Sequence, residues 1–312
     1  MERAKEFVKK SMEETISELI REKGPLTGSE ILESTGAEGL LLWRTCKGSS
    51  NLLICAIGTR YMRLDQRVEG LARLSPSILR EFLTYSVIGL ASDPSAAREK
   101  ADRILLHIEE VSKAKSQLAY SIVSSMANRL EIEVPIQEQV CFIIAGDIVY
   151  NMAHDVPRPE RSTGKLVRGS DMDLVVIADE AFPPLLMSRL DDAIYQEKYR
   201  LLVTPHIREE VDYVVKNMQR VQEQLAFDTF KRMVACKIMY EGTLLYGSEQ
   251  IFHRVKSMLR DRGVTTKLQA MEKQALLFRN EAEHRLLDEG PEKSEQNEAH
   301  LFYPAEESEE FE

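Results

Sequence analysis

The stretch Arg168-Gly169-Ser170-Asp171-Met172-Asp173-Leu174-Val175-Val176-Ile177-Ala178-Asp179 sets two carboxylates two residues apart at the head of an apolar run. On a strand, residues i and i+2 share a face, so Asp171 and Asp173 point together while Met172 and Leu174 point the other way. Leu174 to Ile177 then reads as a strand buried in a core. Two like charges held this close repel unless something cationic lies between them. Carboxylate oxygens are the natural ligands of a hard divalent metal. A bare Asp-x-Asp at a strand end is more often solvated and idle, so the neighbours of this pair decide its meaning.

Upstream, Val140-Cys141-Phe142-Ile143-Ile144-Ala145 has the composition of a second buried strand, and it ends at Gly146-Asp147, where glycine permits a tight turn. Downstream, Val211-Asp212-Tyr213-Val214-Val215 is a third strand with one acid inside an apolar run, a costly placement unless the acid is paired or coordinated. Between the second and third strands, residues 182 to 202 carry helical spacing through Leu185, Leu186, Leu190, Ile194 and Tyr195. The order is strand, glycine turn, strand with Asp-x-Asp, helix, strand with Asp. Three acids at the ends of adjacent strands have the composition of a two-metal site.

These elements resemble the polymerase-beta-like nucleotidyltransferase superfamily, particularly its minimal and small-molecule branch. Ser170-Asp171-Met172-Asp173-Leu174-Val175 matches the family's central motif, Asp212 looks like its third carboxylate, and Tyr240-Glu241-Gly242-Thr243-Leu244-Leu245-Tyr246-Gly247 is similar to a segment such domains carry further on. The resemblance covers about residues 138 to 250. It implies an α+β nucleotidyltransferase fold, a small mixed sheet flanked by helices, and transfer of a nucleotidyl group from an NTP to an acceptor hydroxyl. It also implies two Mg2+ ions, or Mn2+ in their place, held by Asp171, Asp173 and Asp212, with Asp212 beside the acceptor oxygen. Gly146, Gly169 and Ser170 would let backbone N–H groups approach phosphate.

Two departures bear on the phosphate half of the site. The family's first motif is Gly-Ser; here it is Gly146-Asp147, and a carboxylate facing phosphate is repulsive unless a cation offsets it. The second is the long basic segment 154–168, whose Arg158, Arg161, Lys165 and Arg168 are candidates to supply the missing phosphate contacts. The same segment also reads as an ordinary solvated loop, and Asp147 as a cap of the turn it opens. Beside the enzymatic reading stands a second one, a regulator in which the fold is a nucleotide sensor or scaffold without turnover.

Other chemistry falls away. Ser162-Thr163-Gly164-Lys165 lacks the upstream glycine of a phosphate loop, and Leu166 stands where Ser or Thr is required. Cys46, Cys55, Cys141 and Cys236 show no ligand spacing and have apolar neighbours, which points to reduced thiols and a cytoplasmic protein. His154, His206 and His253 have no partner at ligand or triad spacing.

The remainder divides into further segments. With 312 residues, 43% of them apolar, the chain can bury two modest cores, and no apolar run is long enough for a membrane span. Residues 1–72 read as helix, two short helices and a hairpin of Leu52–Ile57 with Tyr61–Leu64. That order is similar to a mainly helical winged helix-turn-helix domain. If it binds DNA, Arg44 and Lys47 would enter the groove and Arg60 and Arg63 would touch phosphate. Its greasy third helix and balanced charge leave a protein partner or a second copy of the chain equally open. Residues 73–135 read as a helical connector, including a helix from Ser75 to Leu90. Residues 136–260 are the nucleotidyltransferase-like domain and 261–287 a C-terminal helix. Of the formal charge of −10, residues 288–312 carry most, with ten acids against Lys293 alone. That composition suggests a disordered tail, with Leu301-Phe302-Tyr303 as a candidate docking motif.

Overall fold

The computed structural model describes residues 2–130, 136–160, 163–288 and 302. The described residues form two compact units, one of residues 2–63, 72–107, 272–288 and 302, the other of residues 64–71 and the described part of 108–271. The architecture is α+β, with four small sheets among the described residues. No helix among them is long and apolar enough to cross a membrane.

The first unit begins α1 (Glu2–Lys23), β1 (Leu26–Thr27), α2 (Gly28–Thr35), α3 (Gly39–Gly48), β2 (Leu52–Ala56) and β3 (Tyr61–Leu64). It continues through β4 (Ala72–Ser75), α4 (Ile78–Thr84) and β5 (Ser86–Leu90) into α5 (Pro94–Leu130). Thr27 caps α2 through a reciprocal pair, its hydroxyl accepting from Glu30 N while Glu30 Oε2 accepts from Thr27 N. Gly36 ends the helix in the left-handed conformation.

Two expectations for this part of the chain fail. The segment from Ser75 to Leu90 is not a continuous helix, so the connector is not wholly helical. Pro76 and the Ser77 cap, which accepts from Arg80 N, start the short α4. Beyond it, β-branched Val87 and Ile88, both fully buried, form the central strand of a sheet ordered β1-β5-β2. Nor do Leu52–Ile57 and Tyr61–Leu64 pair with each other: β2 runs antiparallel to β5, and β3 pairs with β4. The short hairpin loses because β5 offers β2 a five-residue ladder, from Leu52↔Leu90 to Ala56↔Ser86.

The core of this unit gathers Ile16, Ile31, Leu42, Trp43, Phe82 and Ile88 with Ala282, Leu286 and Phe302 from the C-terminal segment. Phe302 is completely buried, with its ring centroid 5.8 Å from that of Trp43 on α3. The acidic tail otherwise lies outside the described residues. Around the apolar contact runs an ion network: Arg279 Nη2 meets Glu81 at 2.6 Å, Arg279 Nε donates to Glu283 at 2.9 Å, and Arg279 Nη1 donates to Pro76 O at 2.8 Å. Arg60 also reaches Glu81 and Glu283.

The second unit holds α6 (Ile136–Gln139), β6 (Val140–Ala145), β7 (Pro157–Pro159), β8 (Leu166–Arg168), β9 (Met172–Ala178), α7 (Pro184–Val203) and β10 (Val211–Asn217). After these come α8 (Met218–Gln224), α9 (Phe230–Glu241), β11 (Thr243–Gly247), α10 (Glu249–Asp261) and α11 (Val264–Asp288). Residues of α5 and α11 belong to both units. The sheet order is β10-β9-β6-β11. β9 and β10 are parallel, joined by α7, and the other pairs are antiparallel. The two central strands, β6 and β9, are buried along their whole length, which is what their unbroken apolar runs require.

Phe302→Ala removes a fully buried aromatic ring and should cost about 3 kcal/mol in denaturant melts. Because Trp43 is the single tryptophan, its native emission should shift to the red in the same variant. Burial raises the Glu283 carboxyl, but the Arg279 hydrogen bond and the charges of Arg279, Arg60 and Lys47 outweigh it, so it lies below its ordinary 4.5. Its contribution is therefore complete above the ordinary value and is lost as pH falls through the depressed native one. Melts of wild type from pH 7 to 3 should decline more steeply than those of Glu283→Gln.

Candidate metal and nucleotide site

Parallel pairing of β9 with β10 sets Asp173 directly opposite Asp212. Asp171 precedes β9 by one residue, and one carboxylate oxygen from each of Asp171, Asp173 and Asp212 lies within 4.8 Å of the others. Asp173 is buried and the other two half-buried. The structure thus brings together all three acids singled out in the sequence. A hard divalent cation suits this donor set, which consists wholly of carboxylate oxygens.

On the other side of β9, Asp173 pairs with Ala145, the last residue of β6. The next residue, Gly146, has φ +72°, and a Cβ built on it would collide with Asp173 Oδ2. Glycine is needed here twice over, for the backbone conformation and for the close approach. The 3-10 turn Gly146–Tyr150 carries Asp147. The N-cap position of that turn is Ala145, and Asp147 Oδ2 accepts from Ser170 Oγ at 2.8 Å. Ser170 is also tied to His154, its Oγ accepting from His154 N at 3.2 Å and its own N donating to His154 O at 2.9 Å. Gly169, at φ +60°, lies so close to His154 O that no side chain fits. Gly169 and Ser170 are buried and locked in front of the Asp-x-Asp pair rather than open to solvent.

The basic segment contributes an antiparallel ladder, β7 against β8, from Pro157↔Arg168 to Pro159↔Leu166. Among its described cations, Arg158 reaches the acids. Its Nη2 lies 2.9 Å from Glu210 Oε2 and 3.4 Å from Asp171 Oδ2, while its Nε donates to Gly169 O at 2.7 Å. Lys165 and Arg168 are exposed, and neither pairs with the acids among the described residues. Arg168 is fixed through its carbonyl, which accepts from the buried Lys115 Nζ at 2.7 Å; Lys115 also pairs with Glu209. Arg161 lies outside the described residues.

Two members of the site escaped the sequence reading. Glu210 is buried beside Asp212, and burial pushes its carboxyl above the ordinary range; Arg158 opposes that rise, while the charges of Asp171, Asp212 and Glu160 add to it. Its signal was present as Glu210-Val211-Asp212, a second acid-x-acid spacing. Lys198 on α7, with Nζ 2.9 Å from Asp212 Oδ1, carried no such signal, because α7 meets β10 only through the fold.

In the first unit, the cations named for DNA are engaged internally. Arg44 Nε donates to Leu286 O at 2.5 Å, Lys47 lies 3.5 Å from Glu283, and Arg60 Nη2 meets Glu81 at 2.7 Å and Glu283 at 3.0 Å. Arg63 is half-buried on β3.

Comparison of the chain with protein-family models, with curated proteins and with solved structures returns no match.

Gly146→Ala forces a left-handed alanine against a carboxylate, at a cost of about 1–3 kcal/mol. Thermal melts should show that loss, and titration with Mn2+ should show weaker binding than wild type, since Asp173 must move.

Proposed function

We propose that the second unit is a metal-dependent nucleotidyltransferase centre that moves a nucleotidyl group from an NTP to an acceptor hydroxyl. The observation that carries this reading is the convergence of Asp171, Asp173 and Asp212 within 4.8 Å at one end of two parallel strands. The Gly146 turn packed against Asp173 supports it further.

Asp171 and Asp173 would hold two Mg2+ ions and Asp212 one of them. When bound, the ions supply positive charge at the reacting phosphate and make the acceptor hydroxyl more acidic. Asp212 orients the acceptor hydroxyl and takes its proton as the new O–P bond forms at the α-phosphate. The bond from the α-phosphate to its bridging oxygen breaks, and pyrophosphate leaves. Gly146, bare of a side chain, lets its turn close against Asp173, and the anchored Gly169-Ser170 turn keeps the Asp-x-Asp pair in place. Lys198 orients Asp212 through their ion pair.

For the first unit, the sheet order β1-β5-β2 after α1, α2 and α3 supports a winged helix-turn-helix arrangement whose second wing strand is β5, reached through a long insertion. Internal pairing of Arg44, Lys47 and Arg60 favours a protein contact over DNA for this unit. A second reading of the catalytic-like unit, a nucleotide sensor without turnover, is favoured by Arg158 and Lys198, which pair with two of the three aspartates.

One experiment separates the two readings. Wild-type protein incubated with α-phosphate-labelled NTPs and Mg2+ should transfer label to an acceptor, and Asp171→Asn should reduce the rate by at least about a hundred-fold, given the several kcal/mol such ions contribute. Nucleotide binding without any labelled product would sink the enzymatic reading and leave the sensor.

A further inference from the structure

The carboxylate cluster has a fourth member and an internal cation, and the two together suggest how the site treats phosphate. Glu210 is buried, two residues before Asp212 and so on the same face. Arg158 stands between Glu210 and Asp171, at 2.9 Å and 3.4 Å. The Nη contact to Asp171 is longer than a charge-assisted hydrogen bond. Glu210 Oε2 has an ion pair to Arg158 but no hydrogen bond of good geometry. By contrast, Arg158 Nε holds Gly169 O at 2.7 Å. The base of the guanidinium is pinned beside the Gly169-Ser170 turn, while its Nη end meets the acids loosely and its side chain is about one-third exposed (32%).

Asp171 is at once a partner of Arg158 and a ligand of the proposed metal site. A divalent cation and the guanidinium therefore compete for the same carboxylate. When the cation takes Asp171, Arg158 keeps Glu210 as its acid partner beside the Gly169 carbonyl, and its planar fork suits two phosphate oxygens better than one buried carboxylate oxygen. We infer that Arg158 is the phosphate-binding arginine of the site: Asp171 and Glu210 store it while the metal is away, and the metal–polyphosphate complex releases it. Resting on the reading above, this assigns the role that Asp147 cannot fill. It also gives Glu210 a function, that of a holding partner rather than a ligand.

The test uses the full chain with two probes, Mn2+ alone and Mn2+ with inorganic tripolyphosphate, read by electron paramagnetic resonance and calorimetry. Arg158→Gln removes the competitor and the phosphate ligand together, so Mn2+ alone should bind about ten-fold tighter and Mn2+-tripolyphosphate about ten-fold weaker, the size of one charge-assisted interaction. A purely structural arginine would weaken both. Glu210→Gln should tighten tripolyphosphate binding several-fold, and that gain should vanish when it is combined with Arg158→Gln; a gain that persists would mean simple charge removal and would overturn the inference. If wild type binds Mn2+ at Asp171 and Asp173, as judged by loss in Asp171→Asn, but Arg158→Gln leaves both probes unchanged, the inference fails and the metal site stands. If wild type binds no Mn2+ at all, both fall.

Discussion

Four carboxylates, those of Asp171, Asp173, Glu210 and Asp212, are delivered to one end of a sheet by the parallel pairing of β9 with β10. At an effective dielectric near that of a protein surface, two of the three aspartate charges, with oxygens within 4.8 Å, repel by roughly 3 kcal/mol. Much of the second unit answers that repulsion. Arg158 comes in from the β7–β8 hairpin and Lys198 from α7, each opposite a different acid. Lys115, buried on α5, neutralises Glu209 and ties down the carbonyl of Arg168 just before the Asp-x-Asp pair. A divalent cation held by the three aspartates would offset the same repulsion more completely than Arg158 and Lys198 at its margin do.

The exchange between Asp147 and Ser170 follows the same logic. In the resembled family both the glycine turn and the residue before Asp-x-Asp carry a hydroxyl; here the turn carries the carboxylate of Asp147, and Ser170 keeps its hydroxyl. The two meet in a 2.8 Å hydrogen bond, so one oxygen of Asp147 is turned toward the protein. The repulsion expected between Asp147 and phosphate is thereby reduced, and the turn is fastened to the segment from His154 to Ser170. Asp147 thus braces the glycine turn against the segment that carries the Asp-x-Asp pair.

The first unit depends on a different constraint. Its third helix is greasy because it lies under part of its own chain: Trp43 faces Phe302, while Arg44 and Lys47 meet Leu286 and Glu283 near the end of α11. Arg279, almost fully buried, is compensated by two glutamates and a carbonyl, as a charge in that position must be. A helix occupied in this way presents little free positive charge.

The sequence alone was enough to locate the three aspartates, the strands that carry them, the helix between them and the glycine turn beside them. Those features are local: an apolar run of strand length, acids at spacing two, and a glycine where the chain must bend. Leu40 to Trp43 marked α3 as too apolar for a plain DNA-reading helix, but did not show that its cover is the protein's own C-terminal segment. Glu210 was legible by the same spacing rule and was missed because it stands ahead of the strand in a pair of acids that look solvated. Tertiary structure decided what remained. Ser86 to Leu90 is a strand because β1 and β2 lie on either side of it, and no propensity within the segment reveals those partners. Arg158 rather than Lys165 or Arg168 meets the acids because the β7–β8 register aims it there, and Lys198 meets Asp212 because α7 packs on β10. Charge pairs between distant segments depend on where the backbone carries them, and a one-dimensional pattern records only which residues are available to be carried.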